Sequence, residues 1–339
     1  MNAWVRSGAL VGAPQLIAEL GADAAALAQA AGIDAAAFSD PEFPVPTAAA
    51  VRFLESAAVH CGCDNFGLRL AQRQDMSLLG PLWSLVQSST TVGEMLEDLA
   101  RVFFLHTTGA LLSLESSKGG LLMNYELATG AGAADRHTTE LGIAILVNEL
   151  SKSSPNWKPQ RIFFRHGQPQ DLRLHRQVFG NQLSFSADRN ALFIDGAMLA
   201  TPYGSGDSAT HRMLATRFNA QCKQLPEMCR TKTESAIRSL MSVATCDVVR
   251  VAKVLNLSTR SLQRYLIKEN TSFSAVLDGV RADLALKYLR QSELPVAAIA
   301  ELLGFCETSA LTRACRRWYG QSPRSLRRVE TGALRCAND

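Results

Sequence analysis

Two stretches near the C-terminal end of the chain repeat one another, and this repeat constrains the fold more tightly than any other feature. The first runs Val251-Ala252-Lys253-Val254-Leu255-Asn256-Leu257-Ser258 and continues from Thr259 to Lys268. The second runs Ile299-Ala300-Glu301-Leu302-Leu303-Gly304-Phe305-Cys306 and continues from Glu307 to Tyr319. Ala252 and Ala300 stand 48 positions apart, as do Asn256 and Gly304; one residue is added after the second turn, so that Leu262 matches Leu311 and Arg264 matches Arg313. Each copy joins an apolar stripe at helical spacing to a turn residue that tolerates left-handed backbone. A helix, a tight turn and a second, basic helix form the pattern that places a helix in the major groove of DNA.

In the first copy, Val248, Val251, Ala252 and Leu255 form the inward stripe of a helix that begins near Asp247. Ser258 is suited to cap the helix that follows, with Leu257 and Leu262 as its anchors, which leaves Arg260, Gln263 and Arg264 outward. Arginine pairs in bidentate fashion with a guanine edge and glutamine with an adenine edge. In the second copy Ile299, Ala300 and Leu303 face inward, Gly304 supplies the turn, and Phe305 packs beneath a helix starting near Glu307. Thr308, Ser309 and Arg313 then lie toward the exposed face; Arg316, Arg317, Lys268, Arg324, Arg327 and Arg328 are candidates for phosphate contacts, which add affinity without sequence information. An exposed arginine on a helix is ordinarily solvated surface; its place in the repeated motif is what singles it out here. Ser322-Pro323 opens a short terminal helix to Arg328. Between the copies, Phe273, Val276, Leu277, Val280, Leu284 and Tyr288 recur at the spacing of one amphipathic helix over Phe273 to Arg290. At a rise of about 1.5 Å per residue it is ~27 Å long, of the order of the ~34 Å between successive major grooves.

Charge follows the same division. From Thr231 to Asp339 there are 17 Lys and Arg against 10 Asp and Glu, whereas from Met1 to Arg230 there are 18 against 21, together giving the net +4. The basic end is the end with the repeat. Eight cysteines spread thinly over 339 residues do not read as a disulfide framework and suit a reducing, cytoplasmic setting. No signal peptide and no apolar run long enough for a bilayer span is read. Cys61-Gly62-Cys63 beside His60 is the one cluster that suggests a metal or redox site, but it lacks a second ligand pair, and free cysteines commonly serve as small buried hydrophobes. No metal, no cofactor and no catalytic set is expected.

The first 200 residues mix helical and strand-like segments. Pro14 to Ala31 reads as a helix ended by Gly32; Phe43-Pro44-Val45-Pro46 as an extended connector; and Thr47 as the N-cap of a helix through Val59. Thr91 caps a further helix bearing Met95, Leu99 and Val102. Leu111–Glu115 and Leu121–Glu126 flank a Ser-Lys-Gly-Gly hairpin signal, a helix follows from Ala134 to Leu150, and short strands are expected at 161–165, 183–186 and 191–194. This predicts an α+β domain over 1–205, a linker over 206–232 in which Ala209 to about Gln224 is helical and Leu225-Pro226 interrupts it, an all-α domain of two helix-turn-helix units joined by a long helix over 233–330, and a tail over 331–339. Trp83, His106, Tyr125, Arg136, His137, Arg165 and His166 are the polar and aromatic ligand candidates of the first domain, each equally explicable as a structural residue.

From about Thr233 to Arg328 the chain resembles the DNA-binding domain of the AraC/XylS family of bacterial transcription regulators. The resemblance rests on Ile299-Ala300, Leu303-Gly304-Phe305, Ser309, Leu311, Arg313-Ala314, Arg317-Trp318, Gly320 and Ser322-Pro323, and on Arg281, Ala285 and Leu289 in the intervening helix. Leu311 and Cys315 depart from it, standing where the family usually carries aromatic residues. The first 200 residues resemble the N-terminal domain of a subgroup described as arabinose-binding-like, through Val45-Pro46 to Leu54, Phe66 to Leu70, Leu78-Leu79-Gly80, Trp157-Lys158-Pro159, Phe163 to His166 and Val178 to Phe185. What the resemblance implies is sequence-specific binding to double-stranded promoter DNA, with a small-molecule effector, RNA polymerase and a second copy of the chain as further partners. The alternative is a cysteine-based redox switch or enzyme fused to a DNA-binding domain; a third reading makes the first domain an interaction module without a ligand.

Overall fold

The computed structural model describes residues 3–127, 134–224, 229–241, 246–255, 257–291 and 294–327. The chain divides into two compact units, the first running to Leu225 and the second from Pro226 onward. The first is a mixture of helices and a sheet; the second is helical throughout its described residues.

The first unit opens with strand β1 (Trp4–Arg6), followed by α1 (Ala13–Glu19), α2 (Ala24–Ala31), β2 (Pro44–Pro46) and α3 (Thr47–His60). The single helix expected over Pro14 to Ala31 is two. Gly21 adopts left-handed backbone at φ +84°, and the Asp23 carboxylate accepts from the N–H groups of Ala25 and Ala26, which starts α2 afresh. The expected connector 43–46 contains β2, which pairs antiparallel with β1, Val5 opposite Val45. Thr47 does not cap α3. It sits inside the first turn, and its hydroxyl makes no cap bond.

Helices α4 (Phe66–Ala71), α5 (Pro81–Gln87) and α6 (Val92–Val102) lead to the hairpin β3 (Ala110–Ser117) and β4 (Gly120–Leu127). Thr91 Oγ1 caps α6 by accepting from the Glu94 N–H. Then come α7 (Arg136–Ser153), β5 (Arg161–Phe163), α8 (Arg173–Phe179), β6 (Leu183–Ser184), β7 (Ala191–Asp195), α9 (Gly196–Leu199) and α10 (Ser208–Gln224). The five-stranded sheet has the order β3-β4-β7-β5-β6, antiparallel except for the β5–β6 pair. Helix α7 is the axis of the core, with Leu141, Ile143, Ala144, Leu146, Val147 and Leu150 all buried. Phe53, Phe66, Phe164 and Phe179 are fully buried around it, each worth about 1.5–3 kcal/mol of hydrophobic burial. The helix expected from Ala209 to about Gln224 is α10, and it belongs to this first unit instead of forming part of a linker. Phe218 enters the core, His211 bonds the buried Asp98 carboxylate on α6, and Arg101 donates to Asn219 Oδ1 at 2.6 Å.

The second unit comprises α11 (Cys229–Met241), α12 (Val248–Val254), α13 (Thr259–Lys268), α14 (Phe273–Gln291), α15 (Val296–Leu302) and α16 (Thr308–Tyr319), with a helical turn over 323–327. Helix α14 buries Val276, Val280, Leu284, Ala285 and Leu289, a stripe at helical spacing. The turn expected at Asn256, the Leu225-Pro226 break and the end of the terminal helix at Arg328 lie outside the described residues.

Candidate nucleic-acid interface and ligand cavity

In the second unit, the helices expected to face DNA are held by named polar contacts. Asp247 Oδ1 accepts from the Val249 and Arg250 N–H groups at the head of α12, and Ser258 Oγ accepts from Ser261 N–H at the head of α13. At the far end of α13, the Glu269 carboxylate accepts from the N–H groups of Cys229 and Arg230, so the close of α13 caps the start of α11. Leu262 and Leu266 are buried on the inner side of α13, while Arg260, Gln263 and Arg264 are exposed.

The turn after α15 is closed by Gly304 at φ +69°, a left-handed position that L side chains enter only with strain. Arg281, on α14, completes it. Its Nε donates to the Leu303 carbonyl at 2.9 Å and its Nη2 to the Gly304 carbonyl at 3.2 Å, while the guanidinium lies over the Phe305 ring at 4.7 Å. These are carbonyls that the end of a helix leaves without an internal partner. Asp278, one turn earlier on α14, accepts from the Trp318 indole N–H at 2.8 Å and from Arg317. One helix thereby fixes both the turn and the rear of α16.

Thr308, Ser309, Arg313, Arg316 and Arg317 are all exposed on α16, opposite the buried Leu311, Ala314 and Cys315. The two residues that depart from the family pattern, Leu311 and Cys315, are fully buried, so the departure concerns packing and not the exposed face. Ser309 Oγ donates to Glu307 Oε2 at 2.8 Å, and Arg317 is committed to Asp278 and to the Trp318 ring at 5.7 Å. Among the described residues, Arg260, Arg264, Arg313 and Arg316 have no carboxylate partner, although Arg264 lies 5.3 Å from the centre of the Tyr265 ring. Arg327, expected to meet phosphate, donates to the Leu294 carbonyl and is half-buried: it ties the terminal turn to the start of α15.

The first unit contains a cavity of about 870 Å³, its open mouth included, bounded by α3, α6, α7, β3 and β4. Of the ligand candidates, His106 and Tyr125 line it; Trp83, Arg136, His137, Arg165 and His166 do not. Arg136 instead pairs with Asp64 and Glu140, and Arg165 with Glu126 at 2.8 Å. His175 Nε2 lies 2.8 Å from the fully buried Glu140, with His166 at 3.4 Å. Burial alone would raise Glu140, but the hydrogen bond from His175 and the neighbouring positive charges hold it below the usual carboxylate range. This cluster holds α7 to α8 from inside the core.

Four polar lining residues were not among the ligand candidates of the sequence: Thr47, Gln74, Thr107 and Thr138. Of their atoms, Thr47 Oγ1, Gln74 Oε1 and Thr138 Oγ1 are buried without a hydrogen-bond partner, and so is His106 Nδ1. Burial of His106 and the nearby Arg6 charge push its pKa down to about 4, leaving a neutral imidazole at pH 7. An unpartnered polar atom at helix spacing has no sequence signature; Thr47 in particular reads as a cap. Cys63 is buried and donates to Asn65 Oδ1 at 3.4 Å, His60 Nδ1 meets the Ser56 carbonyl at 2.8 Å, and no group of three metal ligands occurs among the described residues. No helix among those residues is long and apolar enough to cross a membrane.

An α+β unit with a lined cavity, followed by a helical unit that presents two basic helices, is the architecture of a DNA-binding regulator. The comparisons agree. Residues 21–203 match the model of the arabinose-binding domain of AraC transcription regulators, and residues 251–329 match a helix-turn-helix domain. The chain belongs to the AraC/XylS family of DNA-binding transcription regulators. It is 27% identical over 330 residues to the HTH-type transcriptional regulator VirS of Mycobacterium tuberculosis, covering 96% of this chain and 97% of that one. It is 28% identical over 316 residues to the ornithine utilization regulator of Pseudomonas aeruginosa, covering 92% and 93%. The crystal structure of the transcriptional regulator CdpR from Pseudomonas aeruginosa aligns at 20% identity and a TM-score of 0.43, covering 90% of this chain and 96% of that one. Both of these full-length relatives, VirS and the ornithine utilization regulator, are named as regulators and not as enzymes.

Proposed function

We propose that the helical unit, set over 233–330, binds one asymmetric promoter site through two helix-turn-helix units, α12–α13 and α15–α16, joined by α14. Helices α13 and α16 are the recognition helices. Arg260, Gln263 and Arg264 on the first, and Thr308, Ser309 and Arg313 on the second, read bases; Arg316 neutralises phosphate, and Arg317 reaches the backbone only from its Asp278 tether. The observation that carries this is the exposed row of arginines without carboxylate partners on helices whose opposite sides are buried. The 19 residues of α14 span about 28 Å, a stiff spacer of the right order for adjacent major grooves. The extra residue in the second copy makes the two readers inequivalent, so the site they read is not palindromic.

The first unit, set over 1–205 together with α10, is in this reading an effector domain. Its cavity has the lining that small-molecule sites have, mostly apolar walls with a few polar atoms. A ligand that prefers one arrangement of the protein shifts promoter occupancy or contact with RNA polymerase, in a monomer or a pair of chains, by its differential affinity for the two states. The test is competition binding of the purified chain to its own upstream region against random DNA at fixed salt. Preference of at least about 1,000-fold is expected of a specific binder; equal affinity for both DNAs refutes the reading.

A further inference from the structure

The cavity of the N-terminal unit is walled almost wholly by aliphatic and aromatic side chains, and no Asp, Glu, Lys or Arg is among the described residues that line it. Four lining polar atoms lie buried without a partner: Thr47 Oγ1, Gln74 Oε1, His106 Nδ1 and Thr138 Oγ1. They come from four separate segments, namely the first turn of α3, the loop after α4, the approach to β3 and the first turn of α7. Orphaned polar atoms are rare in folded interiors, and four among the residues lining one cavity are a hydrogen-bonding set without a partner.

We propose that this cavity binds an uncharged, predominantly apolar small molecule carrying one or two hydroxyl or amide groups, and that it discriminates against both sugars and amino acids. The proposal rests on the effector reading and names the ligand class for it. The donor inventory sets the polar end. The Gln74 side-chain amide already donates from Nε2 to the Ala9 and Val11 carbonyls, so its free Oε1 only accepts and demands a ligand donor. The two threonine hydroxyls donate or accept. The imidazole of His106 is neutral, offering hydrogen bonds but no charge. A hydroxyl or primary amide both donates and accepts, as this set of groups requires.

The walls exclude the other classes. A sugar carries a hydroxyl on nearly every carbon, and against aliphatic walls most of these lose their water without replacement. A zwitterion brings two charges into a space with no counter-charge. Arg6, whose charge acts on His106, is engaged: its guanidinium pairs with Glu42 at 3.2 Å and donates to the Leu79 carbonyl at 3.2 Å. A lone carboxylate therefore also finds no free partner.

The experiment titrates the full chain with 1-decanol, decanamide, decanoate at pH 8, L-arabinose and L-ornithine, read by thermal unfolding and by calorimetric stoichiometry. The expected result is saturable one-to-one binding of decanol or decanamide with a raised Tm. Decanoate binds at least about tenfold more weakly, by the cost of stripping its charge of water, and arabinose and ornithine leave Tm unchanged. Ala50→Leu, which fills space on the α3 wall, abolishes binding of the uncharged probes. Thr138→Val, which keeps the shape and removes the hydroxyl, weakens decanamide about five- to tenfold while the unliganded Tm is held or raised. The proposal is overturned by tighter binding of decanoate, arabinose or ornithine than of either uncharged probe. It is equally overturned by lack of saturable binding of both uncharged probes, or by parental binding in both variants. Promoter occupancy measured in parallel separates the two levels. A charged ligand that binds and alters occupancy overturns the ligand class alone, whereas binding of decanol or decanamide without any effect on occupancy overturns the effector reading alone.

Discussion

Arg281 does not belong to either helix pair, yet the second pair depends on it. Replacing it with alanine removes two hydrogen bonds from a charged donor to the Leu303 and Gly304 carbonyls, at 2.9 and 3.2 Å, and a stacking contact of 4.7 Å with Phe305. Hydrogen bonds involving a charged group contribute about 1.5–3 kcal/mol, and the longer of these two, on a half-buried side chain, sits at or below the lower end. The stacked cation adds about 0.5–1 kcal/mol. The expected loss is about 2–4 kcal/mol, concentrated at the α15–α16 turn. Hydrogen exchange followed by mass spectrometry reads it directly. Peptides over 296–319 should lose protection by roughly 30- to 1,000-fold, while peptides over α13 stay as they are. Arg281→Lys should recover only part, because an ammonium reaches one carbonyl and cannot fork or stack as a guanidinium does. Promoter affinity should fall with the loss of protection, although Arg281 is turned toward the turn and not toward DNA. Protection unchanged within about threefold, or full rescue by lysine, would refute the account of α14 as the clamp on this turn.

Other outcomes follow from the same geometry. Arg264→Ala should relax base preference at one or two positions of the site, by about 1–3 kcal/mol of discrimination, whereas Arg316→Ala should weaken binding to all sequences and reduce the salt slope by about 0.9; equal effects at every base position for both contradict that division. Burial pushes Glu55, which accepts from the His137 and Thr138 N–H groups, from the ordinary carboxylate range up to about 7. Its folded-state preference for the proton makes stability greatest below about 4.5 and diminishing as pH rises to about 7, a loss on the order of 1–3 kcal/mol. Since His106 and His137, both pushed down to about 4, titrate with the opposite sign, the test is the difference in Tm between parent and Glu55→Gln from pH 4.5 to 8. The difference should grow with pH; a constant one contradicts the assignment. Gly67→Ala should destabilise the first unit severely, because the added methyl would stand 2.1 Å from the His137 carbonyl oxygen; a parental Tm would show that α4 and α7 can separate without cost. Replacing Cys61 and Cys63 together with serine should leave ligand response and promoter binding intact, and a lost response would favour the redox alternative.

Much of the helical unit was legible because its rules are local. The period of Val276, Val280 and Leu284, the cap at Ser258 and the left-handed demand on Gly304 are properties of short windows, and each of these residues stands in the place its window assigns. So is the hairpin around Lys118, where Ser117 pairs with Gly120. Local signals also misled where two elements compete for one segment. The alanine-rich run from Pro14 broke because Asp23 offered a better start than continuation did, and the helix expected from Ala209 to about Gln224, assigned to a linker, belongs as α10 to the first unit, held by Phe218 and by the His211–Asp98 pair.

The order of the sheet, with β7 between β4 and β5, could not be read from any window, since strand neighbours are chosen by what α7 must cover. The cavity was hidden for the same reason. Thr47 has the residue type and position of a helix cap, and only the meeting of α3 with β3 and α7 leaves its hydroxyl facing a cavity instead of a backbone N–H. Likewise Arg317 and Arg327 look, by sequence, like any other arginine of a basic helix; their partners Asp278 and Leu294 lie 39 and 33 residues away. The sequence by itself determined which helices turn basic faces outward, because amphipathic period and turn chemistry act within a few residues. Only the tertiary structure decided which of those charges are already spent, and which buried polar atoms remain unpaired, because hydrogen-bond satisfaction depends on what distant segments bring within about 3 Å.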